Sequence, residues 1–325
     1  MHTPGTGHPI LWPFSRLERQ LLFVPERSFR GTPEHVGLAF EDIFPVTSGG
    51  VKLHGWHIPG KSTKVTWLIF HGNGGNISVR LDQYAEINRR YGASVVAIDY
   101  RGYGRSEGVP SETGFYADAL AAYELACELH PGKQIVVFGR SLGGAVAAQL
   151  ATVTSPAVLV LEATFSSILD MTRELAPWTR FLPMGLLLKT RFDTVGYVSN
   201  STVPKLIFHG DSDRTVPHTS SARIFAAAPP PEKTTPHPGR RSRWARSRRP
   251  GGLSRHSAGV SGRAWRALVP VRSGFSKIHS FLGVRGSARR AVEKRSAGSG
   301  PQRCVWLYAE GSFGSHSSIL LSSGS

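Results

Sequence analysis

The chain has 325 residues and a formal net charge of +17, a balance that at face value suits a nucleic-acid or acidic-membrane binder. The excess is unevenly placed: residues 1–233 carry 22 Lys and Arg against 20 Asp and Glu, and residues 234–325 carry 17 against 2. The near-neutral first part argues against specific nucleic-acid binding there, and Cys127 and Cys304 alone offer neither a disulfide framework nor metal-ligand spacing.

Residues 1–34 read as an N-terminal segment. Its apolar stretch Ile10-Leu11-Trp12-Pro13-Phe14 is too short for a signal peptide core. It fits either packing against a domain or resting on a membrane surface. No apolar run approaches the roughly 18 residues needed to span a bilayer. A cytoplasmic location with at most peripheral membrane contact is therefore expected.

Residues 35–60 alternate polar and apolar around Ser48-Gly49-Gly50, which predicts an antiparallel hairpin. The pattern then changes. Val65–Phe70, Ser94–Asp99, Gln134–Phe138, Ala157–Leu161 and Lys205–Phe208 are short, nearly continuous apolar runs, as in strands buried on both faces. Helical-period segments separate them, notably Ser78–Arg90, Ser111–Leu129 and Leu142–Ala151. This order predicts an α/β domain over residues 35–233, with a mostly parallel sheet and helices on both faces. Residues 164–200 interrupt the rhythm, with Trp178, Phe181, Leu182 and Leu186–Leu188 and no clear strand. They read as a cap-like insertion over the strand ends, with an ordinary surface helix pair as the alternative.

The chemistry concentrates at three strand ends. In Val136-Val137-Phe138-Gly139-Arg140-Ser141-Leu142-Gly143-Gly144, a strand runs through Gly-x-Ser-x-Gly straight into a small-residue helix. That is the form of a nucleophile elbow, which lifts a serine hydroxyl above a parallel sheet. A serine nucleophile needs oxyanion donors, a base and an orienting carboxylate. The loop His71-Gly72-Asn73-Gly74-Gly75-Asn76 can turn a backbone N–H toward the serine, with Asn73 the preferred donor and Gly74 the alternative. The N–H of Leu142, at a helix start, is the second donor. Asp211 and Asp213 both follow the strand ending at His209-Gly210. Asp211 suits a turn-forming role and Asp213 the orienting role.

These motifs, with DYRGYGRSEG at 99–108 and EATFSS at 162–167, resemble the α/β-hydrolase superfamily over residues 15–233. Within it they are similar to the serine hydrolase branch with an HGN-x-GN oxyanion loop, which includes acyl-protein thioesterase-like and serine aminopeptidase-like members. The resemblance implies Ser141 as nucleophile, Asp213 as triad acid, and Asn73 and Leu142 as oxyanion donors. Tyr100 to Gly108 would be a structural loop bordering the site. It implies ester or thioester substrates carrying an acyl chain, suited by the apolar residues of the insertion, and no metal or cofactor. Amide cleavage uses the same machinery, and a non-catalytic ligand-binding protein on the same fold is the other reading.

The family pattern also implies a last strand followed by a Pro-Gly-x-Gly-His turn carrying the base, and none follows Lys233. Instead apolar periodicity stops, and Arg240–Arg249 holds six arginines in ten residues. Such a stretch cannot bury enough apolar surface to offset its ordering entropy. The genetic code offers a reason. His-Pro-Gly-Arg-Arg-Ser-Arg at 237–243 can be encoded CAT CCC GGG CGC CGG TCA CGA, and a one-base shift of that string reads Ile-Pro-Gly-Ala-Gly-His. Residues 234–325 are accordingly read as a basic, low-order tail translated out of frame, with an acquired basic tail as the competing view. His237, His256, His279 and His316 follow Asp213 in the chain, but none sits in a strand-to-turn setting. The closing strand, its helix and the catalytic histidine are expected to be missing.

Overall fold

The computed structural model describes residues 12–61, 64–210, 213–229, 291–292 and 304–309. In chain order the elements begin with α1 (Trp12–Leu22), β1 (Val24–Pro25), β2 (Glu41–Ile43), β3 (His54–Ile58), β4 (Val65–Phe70) and β5 (Gly74–Gly75). There follow α2 (Leu81–Tyr91), β6 (Ser94–Asp99), α3 (Glu112–Leu129), β7 (Gln134–Arg140), α4 (Leu142–Val153) and β8 (Val158–Glu162). Then come α5 (Ile168–Leu175), α6 (Met184–Leu187), α7 (Thr194–Ser199), β9 (Lys205–Gly210), α8 (Thr219–Ala227), β10 (Ala291–Val292) and β11 (Cys304–Ala309).

The main sheet runs β10-β11-β9-β8-β7-β4-β6-β3-β2. Strands β6, β4, β7, β8 and β9 are mutually parallel, which accounts for their continuous apolar runs. Successive residues of one such strand point to opposite faces, and both faces are dry. In β4, Leu68 and Phe70 join the layer containing α3 and α4, where Phe115, Ala145 and Leu150 are fully buried. Trp67 and Ile69 join the opposite layer, with Tyr84 and Ile87 of α2. Strands β2 and β3 form the expected antiparallel hairpin on one edge.

Helix α3 starts where Ser111 accepts the Gly114 N–H at 3.2 Å, and α2 stops at Gly92 in the left-handed region (φ 61°). Neighbouring β4 and β7 send their following helices to opposite faces of the sheet. Their C-terminal ends therefore open a crevice at a topological switch point, the place where such sheets bind ligands.

The far edge differs from expectation. The sequence leaves β9 without a closing strand, yet β11 lies beside it, antiparallel and in register from Cys304 opposite Gly210 to Ala309 opposite Lys205. The physical reason is local. Cys-Val-Trp-Leu-Tyr-Ala is rich in β-branched and aromatic residues, and β9 offers an unpaired ladder. A parallel closing strand is not among the described residues. The histidine candidates at 237, 256, 279 and 316, and most of the basic tail, lie outside the described residues.

Candidate active site

Ser141 sits between the last residue of β7 and the first of α4, with φ 53° and ψ −117°. A non-glycine residue holds positive φ only when its surroundings enforce it. Here the enforcement is visible. The Ser141 N–H donates to the Glu162 carbonyl at 2.9 Å, and the Ser141 carbonyl accepts from the Gly144 N–H at 2.9 Å. A Cβ on Gly139 would strike the Gly143 carbonyl, and a Cβ on Gly143 would strike the Phe70 carbonyl. Both glycines are thus required by close backbone approach, and the helix start is clamped onto β4 and β7. Leu142 is buried and opens α4, in the first helical turn, whose N–H groups have no intrahelical acceptor.

The 71–76 loop passes directly over this elbow: a Cβ on Gly72 would lie 3.6 Å from Ser141 Cβ. Its shape is set by side chains from elsewhere in the chain. Tyr100 donates its hydroxyl to the His71 carbonyl at 2.8 Å, and Tyr103 donates to Asn73 Oδ1 at 2.9 Å. Asn73 Nδ2 donates to the Leu22 carbonyl at 2.6 Å, and its Oδ1 also accepts from the Val24 N–H at 3.3 Å. Its side chain is thus directed at Leu22, Val24 and Tyr103, which fixes the backbone that carries the Asn73 N–H. Gly74, the alternative donor, is drawn into a two-residue parallel pairing with Val24.

Beneath the loop lies a buried carboxylate that the sequence did not single out. Asp99, at the end of β6, accepts the Ile77 N–H at 2.8 Å and faces His71 Nε2 at 3.4 Å and His54 Nδ1 at 4.0 Å. His54 Nε2 in turn meets Asp42 Oδ1 at 2.8 Å. Burial works to raise the Asp99 pKa, but the facing His54 and His71 and the Ile77 N–H outweigh it, holding the carboxyl below its ordinary value. The signal was present in the 99–108 motif, where an acid ends an apolar strand, but periodicity cannot say what it faces. Two residues on, Arg101 grips Asp118 of α3 with both Nε and a terminal nitrogen, at 2.9 and 2.8 Å. These contacts fit the structural role expected of the 100–108 loop.

Asp213 follows β9, two strands from the elbow and at the same sheet edge. Its Oδ1 accepts the Thr215 and Val216 N–H groups at 2.8 and 2.9 Å. Asp213 therefore forms the turn itself; Asp211 lies outside the described residues. Asp213 Oδ2 faces His209 Nε2 at 3.7 Å. That histidine is buried and engaged at both ring nitrogens, with Ser221 Oγ at 2.7 Å and the Val216 carbonyl at 2.8 Å. Burial pushes the His209 pKa down. Its position fits an anchor for the Asp213 turn and leaves no nitrogen free for Ser141. His71 likewise spends Nδ1 on the Gly72 carbonyl at 2.7 Å.

The segment expected as a cap follows β8 and comprises α5, α6, α7 and a 3₁₀ turn over Pro177–Phe181. The side chains expected to suit an acyl chain behave differently from one another. Leu188 packs on the core, whereas Phe181, Leu182, Leu186 and Leu187 are exposed. Cys127 is half-buried against the core.

Comparison with known proteins agrees with this fold. The family profile described as serine aminopeptidase, S33, matches residues 61–197. An uncharacterized protein of Mycobacterium tuberculosis is 35% identical over 227 residues, covering 68% of this chain and 79% of its own length. The α/β-hydrolase domain-containing protein WAV2 of Arabidopsis thaliana is 35% identical over 233 residues, covering 65% of this chain and 75% of WAV2. Among solved structures, the Pyrococcus furiosus esterase Pf2001 superposes with a TM-score of 0.52 at 22% identity, over 63% of this chain and 82% of the esterase. The structural likeness speaks to the fold.

Proposed function

This chain belongs to the α/β-hydrolase superfamily, and on that premise we propose that it is built as a serine hydrolase of carboxylic esters or thioesters, acting through an acyl-enzyme on Ser141. The observation that carries this reading is the enforced conformation of Ser141, a strained elbow at a switch point with the 71–76 loop lying over it. Ser141 Oγ would attack the acyl carbonyl while its proton passes to a base. The carbonyl oxygen would take up charge beside the N–H groups of Asn73 and Leu142, and the C–O or C–S bond would then break, the leaving group departing with the proton. Water would cleave the acyl-serine ester and restore the hydroxyl. Asp213 would orient the base with Oδ2.

No described residue fills the role of that base. A serine without one is a weak nucleophile at neutral pH, and loss of one triad member removes most of the rate. We therefore place this chain among impaired hydrolases. A non-catalytic ligand-binding protein is the second reading, favoured by the full engagement of His209 beside Asp213. Amide cleavage, which the name of the matching family suggests, would follow the same steps with an amine as leaving group.

Turnover of short- and medium-chain p-nitrophenyl esters and acyl thioesters tests the reading. Weak turnover lost in Ser141→Ala supports an impaired hydrolase. Turnover unaffected by Ser141→Ala would overturn it. Tight binding of fatty acids without any turnover would favour the second reading.

A further inference from the structure

The segment between β8 and β9 carries an apolar surface that the proposed chemistry does not use. Phe181 is 90% exposed and Leu186 87%, with Trp178 at 65% and Leu187 at 58%. All lie on two adjoining short elements, the 3₁₀ turn Pro177–Phe181 and α6. Isolated exposed leucines are ordinary, but large apolar side chains projecting together from consecutive turns are not.

Helix α1 extends the surface. Glu18 accepts the N–H groups of Lys189 and Thr190, at 3.1 and 2.8 Å from its Oε1, which seats α1 beside the end of this segment. Leu17 and Leu21, four residues apart and so on one helix face, are exposed next to that contact. The helix then ends on the 71–76 loop through Leu22 and Asn73, so the surface lies at the site's edge of the sheet.

Charge identifies the occupant. Arg173, Arg180, Lys189 and Arg191 belong to the same segment as the apolar tips, and all four are exposed. Of the carboxylates nearby, Glu18 and Asp193 accept backbone N–H groups, those of Lys189 and Thr190 and that of Gly196. Glu174 and Asp170 pair with Arg223 at 3.1 and 3.7 Å, and Glu112 accepts the N–H groups of Arg191 and Phe192, both at 2.6 Å. Protruding Trp, Phe and Leu interspersed with exposed Arg and Lys is the composition of a surface that seats in the headgroup boundary of an anionic bilayer. Among the described residues no helix is long and apolar enough to cross a membrane.

We propose that Trp178–Leu187, together with Leu17 and Leu21 of α1, forms a docking surface for an anionic lipid bilayer. The inference does not depend on Ser141 being a nucleophile.

Co-sedimentation of the full chain with phosphatidylcholine vesicles, with and without phosphatidylglycerol, tests it. The strongly basic tail adds its own charge-driven binding, so the deciding comparison is made in about 0.5 M salt, where the Debye length is roughly 4 Å and charge attraction is largely screened. The double variant Phe181→Ser, Leu186→Ser keeps net charge and touches side chains already in solvent. It should weaken partitioning into phosphatidylglycerol vesicles at least about ten-fold, with an unchanged circular dichroism spectrum and melting temperature. Arg180→Gln with Lys189→Gln should reduce the preference for phosphatidylglycerol over phosphatidylcholine vesicles. Equal partitioning of the Phe181/Leu186 variant and the unaltered chain would overturn the proposal, as would failure of the unaltered chain to bind either vesicle. A dimer that becomes monomeric in the variant, without vesicle binding, would assign the surface to a second copy and also overturn it. Should the double variant misfold, Leu186→Ser alone carries the same comparison.

Discussion

Asp99 is the residue through which the 71–76 loop should be most open to perturbation. Asp99→Ala removes a buried carboxylate that accepts the Ile77 N–H at 2.8 Å and faces two buried histidines. A hydrogen bond to a charged acceptor contributes about 1.5–3 kcal/mol, and the Ile77 N–H would be left buried and unpaired at a further cost of about 1–3 kcal/mol. The two overlap, so we expect a loss of about 3 kcal/mol. At about 2–4 °C per kcal/mol for a domain of this size, the melting temperature should fall by about 6–12 °C. Asp99→Asn keeps an acceptor for Ile77 and should lose about half as much. The pH dependence carries the sign of the charge. Because the folded-state pKa lies below its ordinary value of 3.8, the stabilisation is fully present above that value and is lost as pH falls through the folded pKa. Denaturant titrations between about pH 2 and 5 should therefore show a shallower acid limb in Asp99→Asn than in the unaltered chain. An Asp99→Ala protein melting within about 2 °C of the unaltered chain would refute the reasoning, since that corresponds to less than about 1 kcal/mol.

Other residues give sharper but narrower tests. Ser141→Gly should raise stability by about 1–2 kcal/mol in urea unfolding, because glycine relieves the positive-φ strain, while abolishing any labelling at that position. Gly143→Ala should cost about 3 kcal/mol or more, since its Cβ meets the Phe70 and His71 carbonyls rather than a movable side chain. Burial pushes the Lys205 ammonium down to about 8, with its Nζ donating to the Ser201 carbonyl at 2.6 Å. The unfolded chain then holds a proton that the folded one has released between pH 8 and 10.5, so stability should rise across that window and stay flat in Lys205→Met.

The elements that position the site were legible because burial on both faces leaves a plain trace in sequence. Val65–Phe70 and Ser94–Asp99 are the strands predicted, to the residue, and the helix after Ser141 is capped by the very turn that its glycines announce. What escaped were polar contacts made at long range. Nothing in the spacing of Tyr100, Tyr103 and Asn73 shows that two hydroxyls hold the 71–76 loop, or that Asn73 spends its side chain on Leu22. Helix α1 went unrecognised although Phe14, Leu17 and Leu21 recur at the helical spacing of three and four. The outward direction of Phe181 and Leu186 escaped as well. Apolar residues ordinarily face inward, and the sequence carries no sign that these do not.

We propose that Ser141 is a nucleophile lacking its base because the chain after Lys233 is read out of frame. The direct test compares fluorophosphonate labelling rates of two proteins: this chain, and the chain encoded by the one-base-shifted frame beyond Lys233. The account predicts labelling at Ser141 in both, abolished by Ser141→Ala, and at least about 1,000-fold slower in the chain as it stands. Equal rates in the two proteins, or labelling that survives Ser141→Ala, would contradict it.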